Sequence, residues 1–548
     1  MRFELPALRG EKYKPHLVIF VLCLICFLPF IRYGLPYDEG YLLDGVERIM
    51  EGQVIYRDFH HTYAPGRFYL IGAAFDIAGK HIYVERVIFA LLQALKCMLA
   101  FLIVKKITRS NWAYLAPLLI LAAPGAWHKV FFSSLGLLSV YAVMSAIESD
   151  RMRRYLLAGI VAGACAVFRQ DSAGFAVIGG AAAIAVFQIK EKRGAGGIFR
   201  RWLYLAAGCC AVIGAVFLWF YSQGALGAMV HKIAVEGMKD NMTNRIPYPP
   251  FGAAAGFDAG YAARILPVKA LFYMPPVVYV LSACLAVWLA VKSDRRATYA
   301  SFICLLIASV LAYNQATWRS DLSHLLQSAQ FVFVLLPVVL WAADGLVRRG
   351  VGGSALHAIR TAMVAVPVAL VIWGTASAVY ASRDPAMARR FSAEGISVGA
   401  TEYVGSFLLT VGNNTRLDSE RAPVLIMPAE ARFFSQVKSF LDENTAPGDY
   451  VLAVPQLQVI YFLFDRRNPT RYAHYRRALE PEEERRYIED INRHETEFIL
   501  LTEPSQGARL ADTKRSFSEY AARVREFIFL NYTEIGRIGS VRVFRRNQ

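Results

Sequence analysis

Apolar residues fall into eleven stretches separated by short charged segments: 17–31, 82–104, 112–126, 130–147, 155–168, 172–189, 202–221, 271–291, 297–313, 325–343 and 358–380. About 20 apolar residues cross the hydrocarbon core of a bilayer, so the pattern predicts a polytopic α-helical membrane region of about eleven transmembrane helices over residues 1–380. A cleaved signal peptide is the rival reading of the first stretch. No small-residue cleavage site follows it, and ten more apolar stretches do.

From residue 381 the pattern changes. Helical spacing over 435–444 leads into the turn Ala446-Pro447-Gly448-Asp449 and an apolar strand over 450–454. A charged helix over 482–494, a strand over 498–501, a helix over 517–530 and strands over 532–535 and 541–544 follow. Strands alternating with helices predict a soluble α/β domain over 381–548. It contains no P-loop and no GxGxxG, so a nucleotide site is not expected there.

The basic residues set the orientation. Arg2, Arg9, Lys12 and Lys14, then Lys105/Lys106/Arg109, Arg151/Arg153/Arg154, Lys190/Lys192/Arg193, Arg295/Arg296 and Arg348/Arg349/Arg360 alternate with less basic loops. By the positive-inside rule this puts the N-terminus in the cytoplasm. An odd number of spans then carries the tail and the loops 32–81, 222–270 and 314–324 to the outer side.

Composition agrees with the apolar pattern. Of 548 residues, 56% are hydrophobic and 19% charged, with a mean hydropathy of +0.35, whereas soluble domains carry about a quarter charged residues. An ordinary cytosolic enzyme is excluded. The formal net charge is +17, and residues 1–380 hold 36 Lys and Arg against 20 acids. The high charge thus belongs to the membrane region and gives no reason to expect nucleic acid. All eight cysteines lie in apolar runs; Cys23 and Cys26 form a CxxC inside the first span, without a second pair to complete a zinc or redox site.

Candidate chemistry gathers in the outer loops. After Pro36, the segment 38–51 spaces Leu42, Leu43, Val46, Ile49 and Met50 as one face of a helix, with acids opposite. It reads as a helix lying on the membrane surface, with Asp38 and Glu39 in its first turn. A carboxylate there can serve as a general base, or can simply cap the helix. The cluster Arg57-Asp58-Phe59-His60-His61-Thr62-Tyr63-Ala64-Pro65-Gly66-Arg67 offers phosphate-binding cations and rings that stack on a sugar, or an interfacial loop against lipid headgroups. Adjacent histidines rarely point at one ion, so a divalent metal is possible there but not predicted. Three further outer turns are Trp127-His128-Lys129, Arg169-Gln170-Asp171 and Trp318-Arg319-Ser320-Asp321-Leu322-Ser323-His324. If those turns converge they make an electropositive pocket against the bilayer, suited to a lipid-linked phosphate; singly, such residues snorkel into the interface.

The order of a first span, Asp38-Glu39, an amphipathic helix, Gly52-Gln53-Val54-Ile55-Tyr56-Arg57-Asp58-Phe59 and Pro65-Gly66 before an aromatic-rich helix resembles the C-type membrane glycosyltransferases. It is closest to bacterial relatives of protein O-mannosyltransferases and the lipid A aminoarabinose transferase, and with no cysteine in the tail this resemblance implies that the outer side is the periplasm of a bacterial inner membrane. Arg319-Ser320-Asp321 with His324 is a second, less specific element. The resemblance implies an inverting glycosyltransferase. It would move a hexosyl or pentosyl group from a polyprenyl-phosphate donor to a hydroxyl or amine of a lipid, glycan or protein acceptor at the outer face. It implies Asp38 as the base that takes the acceptor proton and Glu39 as the second acid. Several relatives place a lysine before the loop proline, whereas here Ala64 precedes Pro65. Phosphate binding then falls to Arg57, His60, His61, Lys129, Arg169 or Arg319. The tail contains no tryptophan, which separates the chain from oligosaccharyltransferases with their WWD motif.

A monophosphate leaving group can be stabilised by cationic side chains alone, so no cofactor is required. A ligase of lipid-linked glycans is the alternative among enzymes. A transporter or flippase is the alternative outside them, and would show internal repeats and polar groups at mid-membrane; neither is evident.

Overall fold

In a computed structural model, the structure describes residues 14–237, 245–251, 259–292, 295–397, 407, 412–455, 457–472, 479–502 and 521–548. Arg2, Arg9, Lys12 and the start of the predicted helix 517–530 lie outside them.

The chain enters through α1 (Pro15–Phe27), α2 (Tyr37–Met50), α3 (Gly66–Ala78), α4 (Ile82–Thr108), α5 (Leu115–Ala122) and α6 (Val130–Ser149). It continues through α7 (Met152–Phe168), α8 (Gln170–Lys190), α9 (Ala195–Ser222), α10 (Ala259–Lys292), α11 (Arg296–Ala312), α12 (Leu322–Gly350) and α13 (Gly353–Arg383). Among the described residues, nine helical stretches are long and apolar enough to cross a membrane. The other two predicted spans are the short α5 and the 17-residue α7. The helix α5 stops where Ala123 leaves the helical region ahead of Pro124, a region that a following proline disfavours. Asp150 in the left-handed region and extended Arg169 bound α7.

Small residues bring the helices together. A Cβ at Gly159 of α7 would lie 2.0 Å from the Leu205 carbonyl oxygen of α9, and one at Gly208 of α9 would lie 2.2 Å from that of Leu156. The two backbones are in direct contact, the packing that small residues permit where water supplies no driving force between helices.

Charge is confined largely to the two ends of the bundle. At the end away from α2, Arg201 pairs with Asp150 at 2.7 Å, and Arg348 and Arg360 converge on Asp344 at 2.6 and 2.7 Å. The buried Lys96 donates to the Pro124 carbonyl at 2.7 Å, just beyond the end of α5.

The tail forms β1 (Thr415–Arg416), β2 (Leu425–Ile426), α14 (Pro428–Asn444), β3 (Val451–Val454), α15 (Val459–Phe464), α16 (Pro481–Arg493), β4 (Phe498–Thr502), α17 (Ala522–Asn531), β5 (Tyr532–Ile538) and β6 (Val541–Arg546). Four strands make one mixed sheet in the order β3-β4-β6-β5, with β3 parallel to β4 and the other pairs antiparallel. Leu452, Ile499 and Phe544 face α16 and α17 through Tyr487, Ile491 and Ile528 in a second core. The expected polytopic helical region with an α/β tail is what the chain forms.

The segment 38–51 is a helix, as expected, and the tail roofs it. Leu42, Leu43 and Val46 are fully buried, and Gly40 abuts α15 so closely that a Cβ would sit 2.6 Å from the Val459 backbone. Its acids meet tail arginines: Arg421 holds Glu47 at 2.7 Å and Arg467 holds Glu51 at 2.8 Å. Arg48 donates to the Thr470 carbonyl at 2.7 Å. A helix with apolar and acidic faces is satisfied by a bilayer or by a protein surface of matching pattern, and only the folded tail reveals the second.

Candidate active site

The N-terminal turn of α2 separates the adjacent acids. Glu39 points inward and is fully buried against Arg86 of α4, whose guanidinium bonds both carboxylate oxygens at 2.7 and 2.6 Å. The same guanidinium donates to the carbonyls of Ile31 at 2.7 Å and Gly34 at 2.9 Å. Glu39 thus anchors the loop that follows α1, and does not join Asp38 as a second reactive acid. A buried pair of this kind is tolerated only where further hydrogen bonds satisfy both ions, as here.

Asp38 points the other way. Its side chain keeps 26% of its surface exposed, and Oδ2 lies 3.2 Å from Nε2 of His128, on the turn between α5 and α6. The next residue, Lys129, lies 3.2 Å from Nε2 of His324 and 3.4 Å from the Ser323 hydroxyl. His324 Nδ1 in turn meets Asp321 at 2.9 Å, and Arg319 holds the same carboxylate at 2.8 Å. These cations keep Asp321 well below the usual carboxylate range despite its burial. Asp321 also caps α12, accepting from the His324 amide at 2.9 Å. Three turns far apart in sequence therefore bring Asp38, His128, Lys129, His324, Asp321 and Arg319 into one continuous polar cluster.

The other expected cations do not join it. Arg57 is engaged by its neighbour Asp58 at 2.8 Å and donates to the Gln223 carbonyl, while Asp58 accepts from the Val54 amide at 2.7 Å and closes the loop. Arg169 is held by Asp171 at 2.8 Å, and Gln315 bonds the same acid at 3.0 Å. His60 stacks on Tyr472 of the tail at 4.9 Å, its amide bonded to the Arg471 carbonyl at 2.7 Å. His61 is buried between Tyr41 at 3.8 Å and Phe68 at 4.4 Å, accepting from the Tyr63 amide. The two histidines diverge, one to the tail and one to the core of α2 and α3. Among the described residues no group of three His, Cys, Asp or Glu side chains is placed to hold a metal ion.

Arg86 is not singled out in the sequence and lacks a local motif; His128 and Arg67 enter there only as members of an outer turn and of the first-loop cluster. Arg67 is fully buried, stacked on Tyr63 at 4.1 Å, and donates to the His128 carbonyl at 3.3 Å. Burial pulls its guanidinium down to about 10. It braces the turn that presents His128 to Asp38.

Beside this loop an apolar cavity of about 250 Å³ opens between Ala64, Pro65, Val167, Val216, Phe217 and Ile233.

Residues 61–220 match the family described as dolichyl-phosphate-mannose-protein mannosyltransferase. Two solved structures of ArnT from Cupriavidus metallidurans, one bound to undecaprenyl phosphate and one in the apo state, share 12% and 13% identity. Each covers 96% of this chain and 97% of that one at a TM-score of 0.52. The Archaeoglobus fulgidus oligosaccharyltransferase tethered to an acceptor peptide gives a TM-score of 0.46, at 12% identity over 98% of this chain and 74% of that one. No curated protein matches the sequence. The likeness to ArnT extends along nearly the whole of both chains, and with the apolar helices and the matched segment it identifies this chain as a multi-pass membrane protein with the C-type glycosyltransferase fold.

Proposed function

We propose that the chain is an inverting glycosyltransferase that uses a polyprenyl-phosphate sugar, with Asp38 as the base. The observation that carries this reading is the placement of Asp38: partly exposed, held by His128, and continuous with the cluster of Lys129, His324 and Arg319. Asp38 takes the proton of an acceptor hydroxyl or amine as that atom attacks the anomeric carbon. In an inverting displacement the phosphate departs on the opposite side of the sugar, where fixed cations offset its developing charge. Lys129 and Arg319 serve that role in this scheme.

The apolar cavity beside Ala64 and Pro65 suits part of a prenyl chain. At about 0.8 kcal/mol per buried CH₂ such a chain stays in the bilayer, so its phosphate remains near headgroup depth. The matched family and the undecaprenyl phosphate in one ArnT structure support a lipid-linked donor. The reading places the site on the outer, periplasmic side, with the tail covering α2 as a separate domain. Lipid, glycan and protein acceptors all remain within it.

The decisive experiment replaces Asp38 by Asn in membranes supplied with a polyprenyl-phosphate sugar and candidate acceptors. Loss of a general base is expected to slow transfer about 100- to 10,000-fold with the melting temperature unchanged. Transfer at the wild-type rate would remove Asp38 from the reaction.

A further inference from the structure

The cavity at the opposite end of the bundle from Asp38 has no part in the transfer chemistry. It measures about 640 Å³ and lies where α4, α6 and α8 end and α11 begins. Five cations line it: Lys106, Arg109, Lys190, Arg295 and Arg296. Its two carboxylates are already engaged, Glu148 by Lys106 and Glu191 by Arg296 at 3.2 Å. The lining therefore carries a formal charge of +3. Ala297 and Thr298, in the first turn of α11, also face the cavity, adding the positive end of a helix dipole. Lys190 is held in position by its bond to the Ala290 carbonyl at 2.7 Å and by the Tyr299 ring at 4.7 Å.

Basic loops on one membrane face are general, but they do not require cations from separate helices to converge on one hollow. Arg153 and Arg154, at the same end of the bundle, are exposed and line no part of this cavity. A recess with excess positive charge, hydroxyls from Thr298 and Ser301 and a helix N-terminus matches a phosphate oxyanion, which arginine binds through paired N–H groups. Its position at the ends of membrane-length helices puts it at headgroup depth, where basic pockets between spans take anionic lipids.

We infer that this cavity binds a phosphate-bearing anion, supplied either by the headgroup of an anionic phospholipid or by free phosphate. The site is independent of the glycosyl-transfer reading.

The test is native mass spectrometry of the full-length protein in detergent, with phosphatidylglycerol, phosphatidylcholine and inorganic phosphate as probes. Arg109→Gln/Arg295→Gln alters two exposed lining residues; Arg153→Gln/Arg154→Gln removes equal charge outside the cavity. For a lipid headgroup, phosphatidylglycerol is retained in preference to phosphatidylcholine, and the first double variant weakens it about 30-fold, at the usual strength of two basic side chains near an anionic lipid. The second is expected to change it by no more than about twofold, since exposed charges are screened. For free phosphate, the anion alone raises the melting temperature of the wild type and not of Arg109→Gln/Arg295→Gln, without lipid preference. Equal losses in both double variants, or a loss in neither, would overturn the site. Melting in phosphatidylcholine checks folding, and Arg109→Gln alone gives the same reading should the double variant not fold.

Discussion

Oδ2 of Asp38 lies 3.2 Å from Nε2 of His128, tying the first turn of α2 to the start of α6. This contact helps to orient the carboxylate. It also sets Asp38 next to the cluster containing Lys129, His324 and Arg319.

Replacing His128 tests that relationship. His128→Ala removes the imidazole that lies 3.2 Å from the Asp38 carboxylate; loss of a polar contact to a charged group amounts to about 1.5–3 kcal/mol, so kcat is expected to fall about 10- to 100-fold with little change in donor KM. His128→Asn, which keeps a polar side chain, recovers part of the rate. An unchanged kcat in His128→Ala would separate the imidazole from Asp38.

Glu39 is expected to matter for stability first. Glu39→Gln leaves the fully buried guanidinium of Arg86 without its counter-ion, and breaking such a pair costs about 3–5 kcal/mol. Thermal denaturation in detergent is expected to show a drop of several degrees. Glu39→Gln/Arg86→Met regains part of it, because the charge left alone is removed. Equal melting of wild type and Glu39→Gln would disprove the anchoring role.

The contact between His60 and Tyr472 makes stability depend on pH. Burial, with the nearby charge of Lys232, pulls the His60 imidazole down to about 4, against about 6.5 in an unfolded chain. Between those values the folded protein binds fewer protons than the unfolded one, so stability rises with pH. The contribution is complete above about pH 6.5 and is lost as pH falls toward 4, amounting to about 2 kcal/mol between pH 6.5 and 5. Melting curves from pH 7 to 5 are expected to show this decline, and His60→Gln to flatten it. A slope unaltered by His60→Gln would assign it to other groups.

Much of the candidate site is legible along the chain because its signals are local. The Asp38-Glu39 pair stands out after the first span, and Asp321 three residues before His324 has the spacing of a helix cap. Locality also explains which candidates fall away: Arg57 and Arg169 each sit within two residues of an acid that holds them. The division of labour between Asp38 and Glu39 was not legible, because the residue that claims Glu39 lies 47 positions away on α4.

Hydrophobic periodicity by itself determines that this chain crosses a membrane many times and ends in an α/β tail, because burial of apolar surface depends on spacing that any stretch of sequence displays. Only the tertiary structure decides that α2 packs beneath the tail and that Lys129 meets His324 across 195 positions. It likewise decides that five cations surround one hollow at the far end. Those outcomes rest on Coulombic and steric matches between segments whose distance in space no local pattern encodes.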